Sequence, residues 1–326
     1  MSRLTSLVDP FGRRISYLRI SLTERCDLRC AYCYPRGGRE PSTENALSAE
    51  DVWRIATAAT GLGIHRLRLT GGEPLLREDL AEIVTRLSAL PGVTDLALTT
   101  NGQRLAERAA ALAEAGLRRV NISLDSLDAE AYRRITGGGD LGAAHRGIEA
   151  ALAAGLSPVK INVVLTSGDV LGDEGVQAFA DLAATRPVHV RFIEAMPTCV
   201  SAGYVPAKQV LASLAARHSL APVPGPEGGG PAKYYRLGAS AGTIGVITPL
   251  SAPFCEQCNR LRVSARGHLT PCLFSSRGID LTPALREKRG WRPLVALFRE
   301  AAAAKPRRYG DVAEPGGVRA MHVIGG

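Results

Sequence analysis

Between residues 15 and 193 the chain repeats one unit, a short β-rich apolar run followed by an amphipathic stretch of helical spacing. The runs are Ile15–Leu22, His65–Thr70, Thr94–Thr99, Arg119–Leu124, Pro158–Leu165 and Val188–Ile193. The helical stretches are Ser48–Thr60, Glu78–Leu90, Gln103–Ala115, Leu141–Ala154 and Asp173–Ala184. Ser48 stands as an N-cap with Asp51 three residues on, a near capping box, and Gly116 and Gly155 stand where helix C-caps belong. Strand–helix alternation predicts βαβ units and a parallel sheet. Six such units are too few for the usual closed eight-stranded barrel, so the expected fold is α/β, a partial, open parallel barrel of six units. In such folds the reactive centre lies where the strands end, which draws attention to Thr70–Pro74, Thr99–Gly102 and Ser123–Asp125.

After Met196 the alternation stops. Residues 221–231, APVPGPEGGGP, read as a loop or linker; short strands follow over Tyr234–Leu237, Gly242–Ile247 and Leu261–Ser264, then helices near Thr282–Lys288 and Trp291–Ala303. This predicts a larger domain over 1–200 and a smaller one over 201–326. Hydrophobic residues make up 45% and aromatic ones 5%, so the core is aliphatic. No run approaches the ~18 apolar residues of a membrane span, and Met1–Pro10 lacks a signal peptide's apolar stretch. A soluble, cytoplasmic protein with no membrane partner is expected. The net charge of +9 favours an anionic partner, but the arginines are spread out and aromatics are few, which argues against nucleic acid.

Six of the seven cysteines fall in two groups of three, and Cys199 stands alone. Clustered cysteines without a secretory signal point to metal rather than disulfides. Cys26-x3-Cys30-x2-Cys33 follows the first strand directly; three thiolates there suit one face of a [4Fe–4S] cube and leave one iron open. A zinc site completed by a histidine is the alternative, the nearest in sequence being His65. Cys255-x2-Cys258-x13-Cys272 offers the same choice, with His268 as a fourth zinc ligand.

CDLRCAYC over Cys26–Cys33, with Tyr32 before the last cysteine, resembles the CxxxCxxC signature of radical-SAM enzymes. TGGEP over Thr70–Pro74 resembles their GGEP segment. The resemblance implies that the open iron chelates S-adenosylmethionine, that Gly71 and Gly72 bring backbone close to this cofactor, and that Glu73 pairs with its amine. The second cysteine group, with Asn259-Arg260-Leu261-Arg262, resembles the GTP 3′,8-cyclase family, and the similarity runs from Asp9 to Gly326. Carried onto this chain, it implies two [4Fe–4S] clusters as cofactors beside S-adenosylmethionine. Tyr32, Gly72, Glu73, Ser123 and Met196 would contact S-adenosylmethionine; Arg19, Arg68, Thr99, Lys160, Arg260, Leu261 and Arg262 would contact GTP; Gly325 and Gly326 would reach into the active site. Taken singly, a buried methionine, a solvated arginine or a frayed glycine tail would be ordinary. Tyr34 stands where this family carries Met.

The activity so implied is cyclisation of GTP at the start of molybdenum cofactor biosynthesis. A 5′-deoxyadenosyl radical removes the ribose C3′ hydrogen and C3′ attacks guanine C8. A homodimer, a flavodoxin- or ferredoxin-type electron donor and hand-over to cyclic pyranopterin monophosphate synthase are implied in the same way. Two rivals are another radical-SAM enzyme with an auxiliary cluster, such as a peptide-modifying one, and a non-enzymatic zinc-binding protein.

Overall fold

The structure, a computed structural model, describes residues 6–33, 46–166, 172–196, 203–275, 278–287 and 290–312. Tyr34, Cys199, Gly325 and Gly326 lie outside the described residues. The six expected strands form as β1 Tyr17–Ser21, β2 Arg66–Thr70, β3 Asp95–Thr100, β4 Arg119–Ser123, β5 Val159–Leu165 and β6 Val188–Glu194. Between them run α1 Ala49–Gly61, α2 Leu80–Ser88, α3 Leu105–Glu114, α4 Ala129–Thr136, α5 Leu141–Ala153 and α6 Asp173–Thr185. The capping box is present: Ser48 Oγ accepts from the Asp51 amide and Asp51 Oδ2 from the Ser48 amide, both at 3.1 Å. Gly116 and Gly155 take φ of 102° and 74°, the left-handed conformation that ends α3 and α5. Helix α4 was not expected; it is only eight residues long, and is started by Asp128, whose Oδ1 accepts from the Ala131 amide at 2.7 Å.

The later elements are α7 Ala207–Ala215, β7 Leu220–Val223, β8 Lys233–Leu237, β9 Thr243–Ile247, β10 Arg260–Val263, β11 His268–Thr270, β12 Ile279–Asp280, α8 Thr282–Arg286 and α9 Arg292–Ala303. The stretch expected as a loop over 221–231 opens with most of β7. Its Pro222 is tolerated because β7 is the outermost strand of the sheet.

Among the described residues, twelve strands join one sheet in the order β12-β11-β10-β1-β2-β3-β4-β5-β6-β9-β8-β7. The C-terminal residues extend the wall that the βα units begin. Strand β9 pairs in parallel with β6, and β10 in parallel with β1, making eight consecutive parallel strands with antiparallel pairs outside them. The two edges do not pair, so the barrel is open.

A parallel sheet buried on both faces is ordinarily apolar throughout. Here the strands alternate. Leu18, Ile20, Leu67, Leu69, Ile161, Val163, Val190 and Phe192 are buried in the aliphatic core under the helices. The residues between them, Arg19, Arg68, Asn162 and Arg191 among them, face inward on a cavity.

Near the starts of β3 and β4 a buried ion pair closes this interior. Arg119 Nε and Nη2 donate to the two carboxylate oxygens of Asp95 at 2.6 and 2.5 Å. Burial would push the Asp95 carboxyl up, but the Arg119 guanidinium holds it below its usual value. Asp95→Asn strands the Arg119 charge and is expected to cost about 3–5 kcal/mol at pH 7 in denaturant unfolding. Because the folded-state pKa is lowered, this stability is present above the unfolded value near ~3.9 and is lost as pH falls through the folded value. The gap between parent and variant should therefore narrow below about pH 4. A constant gap from pH 7 to pH 3 would assign the cost to something other than the charge.

Candidate functional site

The inward faces of the eight parallel strands enclose a cavity of about 500 Å³ that runs from the ends of the strands to their beginnings. Cys26, Cys30 and Cys33 line the first end, on the loop that leaves β1. This loop is held against the turn after β2 by backbone contacts: the Gly72 amide donates to Thr23 O and the Glu73 amide to Arg25 O, both at 2.7 Å. Burial pushes the Cys26 thiol up to about 11, and burial with Asp125 nearby holds Cys30 well above the usual thiol value. Tyr32 lines the cavity beside them, and its hydroxyl donates to Asp125 Oδ2 at 2.7 Å. Ser123 and Met196 line the same region.

Cys255, Cys258 and Cys272 line the cavity at the other end, where the strands begin. Cys258 lies two residues before β10, which is in register with β1 from Tyr17 onward. Five residues of β1 at about 3.3 Å each put roughly 16 Å of strand between the two cysteine loops. Cys272 follows β11, whose antiparallel register, Arg262 opposite Thr270, sets Cys272 level with Arg260. Burial would raise the Cys258 thiol, but Arg260 and Lys305 bring it down to about 7.

The zinc readings fail on this geometry. His268 sits four residues from Cys272, about 13 Å along an extended strand, at the far end of the β10–β11 pair from Cys258. His65 precedes β2, at the opposite end of the strands from Cys26, and its ring bonds Gly63 O. Neither histidine lines the cavity. Each set contributes three thiols to the lining of one shared cavity. That donor set fits an iron–sulfur cluster with one iron free of protein ligation, at both ends.

Between the two ends the wall is basic. Arg19 on β1 stands in register with Arg68 on β2 and Arg262 on β10, and all three line the cavity with Arg191 and Arg260. Arg68 Nε donates to the Tyr17 hydroxyl and Nη1 to Thr99 Oγ1 at 3.2 Å. Arg191 Nη2 donates to Asn162 Oδ1, and its buried Nε has no partner. Burial lowers Arg191 and Arg262 to about 10, with Arg260 adding to the effect on Arg262; burial and Arg262 together hold Arg19 well below the usual arginine value. Several desolvated guanidinium groups facing one space are a binding site for a polyanion, whose charge relieves their repulsion.

Three expected contacts, Lys160, Leu261 and Glu73, stand behind the cavity wall. Lys160 is fully buried; its Nζ donates to Glu227 O at 2.8 Å, under the loop that carries Gly228–Pro231, and does not line the cavity. Burial, with Arg191 and Arg119 beside it, pushes this ammonium down to about 6. Leu261 alternates with Arg260 and Arg262, so its side chain faces the core. Glu73 lies behind the turn, 1% exposed. Its Oε1 accepts from the Leu75 amide at 2.9 Å and Thr100 Oγ1 at 2.7 Å, and its Oε2 from the Asn101 amide at 2.7 Å. It ties the turn after β2 to the end of β3. Gly72 is needed for chain against chain: a Cβ there would stand 2.1 Å from Arg25 O.

Sequence reading missed Tyr17, Asn121, Asn162, Arg191 and Lys305, all in the cavity wall. For the strand residues the available signal was the alternation itself, a polar residue at every second position of a strand that ought to be apolar.

A family model described as the Radical SAM superfamily matches residues 20–182, and one described as Molybdenum Cofactor Synthesis C matches residues 188–311. Among curated proteins, the chain is 49% identical over 325 residues to a GTP 3′,8-cyclase of Pelotomaculum thermopropionicum, covering 98% of this chain and 99% of that one. It is 45% identical over 323 residues to a GTP 3′,8-cyclase of Moorella thermoacetica, with coverage of 98% and 99%. Among solved structures, Streptococcus suis SuiB bound to S-adenosylmethionine superposes with a TM-score of 0.58 at 16% identity, over 88% of this chain and 69% of that one; this likeness is one of fold. Among the described residues no helix is long and apolar enough to cross a membrane.

Proposed function

The chain belongs to the GTP 3′,8-cyclase family of radical SAM enzymes, and from that membership we propose how its cavity divides the work. The reaction is conversion of GTP to (8S)-3′,8-cyclo-7,8-dihydroguanosine 5′-triphosphate, the first step of molybdenum cofactor biosynthesis, and it uses S-adenosylmethionine and an iron–sulfur cluster. We assign that cluster to Cys26, Cys30 and Cys33, and a second [4Fe–4S] cluster to Cys255, Cys258 and Cys272. What the first site would supply when loaded is the 5′-deoxyadenosyl radical that takes the ribose C3′ hydrogen, after which C3′ joins guanine C8 and one electron, from the flavodoxin- or ferredoxin-type donor, with one proton quenches the remaining radical.

The protein's own contribution is position. Tyr32, Gly72, Ser123 and Met196 form the S-adenosylmethionine side of the cavity. Arg19, Arg68, Arg260 and Arg262 hold the triphosphate in the middle with Thr99, and Arg191 is added to them. Lys160 and Leu261 support this wall from behind, and Glu73 fixes the turn that carries Gly72. Guanine is thereby presented to the second cysteine set and ribose to the first, an arrangement in which proximity is worth several kcal/mol. The observation that carries this reading is the pair of three-cysteine sets at opposite ends of one arginine-lined cavity. A homodimer, a flavodoxin- or ferredoxin-type donor and delivery of product to cyclic pyranopterin monophosphate synthase complete the proposal.

The test is anaerobically reconstituted protein given S-adenosylmethionine, dithionite and GTP, followed by mass spectrometry. GTP-dependent 5′-deoxyadenosine with an isomer of GTP is expected; deoxyadenosine with GTP untouched would refute the substrate assignment. Arg191→Gln removes one charge-assisted contact worth about 1.5–3 kcal/mol. It should weaken GTP binding by roughly 10- to 100-fold in equilibrium titration while leaving S-adenosylmethionine binding unchanged. Equal weakening of both ligands would place Arg191 outside the triphosphate site.

A further inference from the structure

Among the buried cations of the wall, one stands beside the second cysteine set rather than in the arginine row. Lys305 follows α9, is 4% exposed and lines the cavity beside the second cysteine set. Its Nζ donates to Arg260 O at 2.8 Å and to Pro271 O at 2.7 Å. Arg260 lies two residues after Cys258 and Pro271 immediately before Cys272, so the ammonium is pinned between the two segments that bear these thiols. Among the described residues no carboxylate lies within ion-pair distance of it. Burial lowers its pKa, and the sulfurs of Cys258 and Cys272 act against that in favour of the charge.

Arg13 gives the contrast. It also braces this end of the cavity, donating from Nη1 to Cys255 O at 2.7 Å and from Nη2 to Pro306 O at 2.6 Å. Its charge, however, is met by Asp9, whose Oδ2 accepts from Nε at 2.5 Å. Burying an unpaired ammonium is costly, and a protein keeps one where an anion offsets it. Arg260 and Arg262 face the substrate side, where the triphosphate meets their charge. Lys305 is left for the cluster.

We propose that Lys305 is the fixed counter-charge of the second cluster and sets its reduction potential. This rests on the reading that Cys255, Cys258 and Cys272 hold a cluster. Reduction adds one electron, and with it one negative charge, next to an ammonium held at its distance by two carbonyls, so the reduced state gains more than the oxidised one. Lys305 is a positioning and tuning residue; it does not touch the reacting atoms.

The experiment is an EPR-monitored redox titration of the full, doubly reconstituted protein, following the signal that GTP and not S-adenosylmethionine perturbs, with iron counted per chain. Lys305→Gln keeps a donor for the carbonyls and removes the charge; Lys305→Arg keeps the charge. In Lys305→Gln the reduced fraction of the second cluster at fixed poise should fall about tenfold, the equivalent of about 59 mV for a one-electron couple, towards more negative potential. Lys305→Arg should restore most of it. Loss of the second cluster from Lys305→Gln alone would also establish the charge requirement. An unchanged midpoint in Lys305→Gln with both clusters present would overturn the inference, as would loss of the cluster from both variants, which would leave Lys305 a clamp only. Parent protein that holds iron at the first site alone would instead refute the second cluster itself.

Discussion

A Cys258→Ala protein is expected to go on cleaving S-adenosylmethionine while losing cyclisation of GTP. Cys258 lies at the start of β10, and some 16 Å of strand separates it from the loop that carries Cys26, Cys30 and Cys33. Its removal therefore leaves the first site's contacts in place, including the Tyr32–Asp125 bond and the backbone bonds from Gly72 and Glu73. What disappears is the end of the cavity against which guanine is set in the proposed reading. A displacement of about 1 Å in such a site costs about 10²-fold, and loss of the whole anchor more. Deoxyadenosine should still form, at a reduced and less GTP-dependent rate, with no isomer of GTP by mass spectrometry. The mirror change, Cys30→Ala, should abolish both products. Normal cyclisation by Cys258→Ala would sink the substrate role of the second site; loss of deoxyadenosine from it would mean that the two ends do not act separately.

Gly72→Ala should disable the first site without touching a cysteine. The added methyl group would stand 2.1 Å from Arg25 O and 2.7 Å from Glu24 O, both backbone atoms that no rotamer change can move aside. Either the turn after β2 or the loop after β1 must shift, and the bonds from Gly72 and Glu73 to Thr23 and Arg25 go with it. Overpacking of this kind typically costs about 1–3 kcal/mol. The functional loss should be larger, about 10²-fold in deoxyadenosine formation, because the loop that shifts carries the cysteines proposed as cluster ligands. Iron at the first site should fall while the second site keeps its own. Gly172→Ala is the control, since a Cβ there meets nothing within 4 Å. Deoxyadenosine formation at the parent rate by Gly72→Ala would show that the contact is not tight.

Local signals carried most of the barrel. Period-two and helical spacing located β1 to β6 and five of the six helices between them, and Ser48 and Asp51 form the box that their types and separation imply. The eight-residue α4 spans barely two turns, with only Ala131, Tyr132 and Ile135 as its buried apolar face, and β7 hid in a run read for its prolines and glycines. The cysteines were legible because ligand spacing within a loop is a short-range property. The roles of Gly72, Glu73, Lys160 and Leu261 were not, because each depends on what lies across the fold from it: Arg25 O, the Asn101 amide, Glu227 O and the aliphatic core.

The sequence by itself determined the parallel βα order, the two three-thiol sets and the surplus of arginine, all of which are consequences of residue type at fixed short separations. Only the tertiary structure decided that the last third of the chain supplies β9 and β10 to both edges of the same sheet. That pairing sets Cys258 at the opposite end of β1 from Cys26 and turns Arg19, Arg68 and Arg262 into one row. Registers between strands more than two hundred residues apart are fixed by burial of their apolar faces against common helices, a constraint that no local pattern contains.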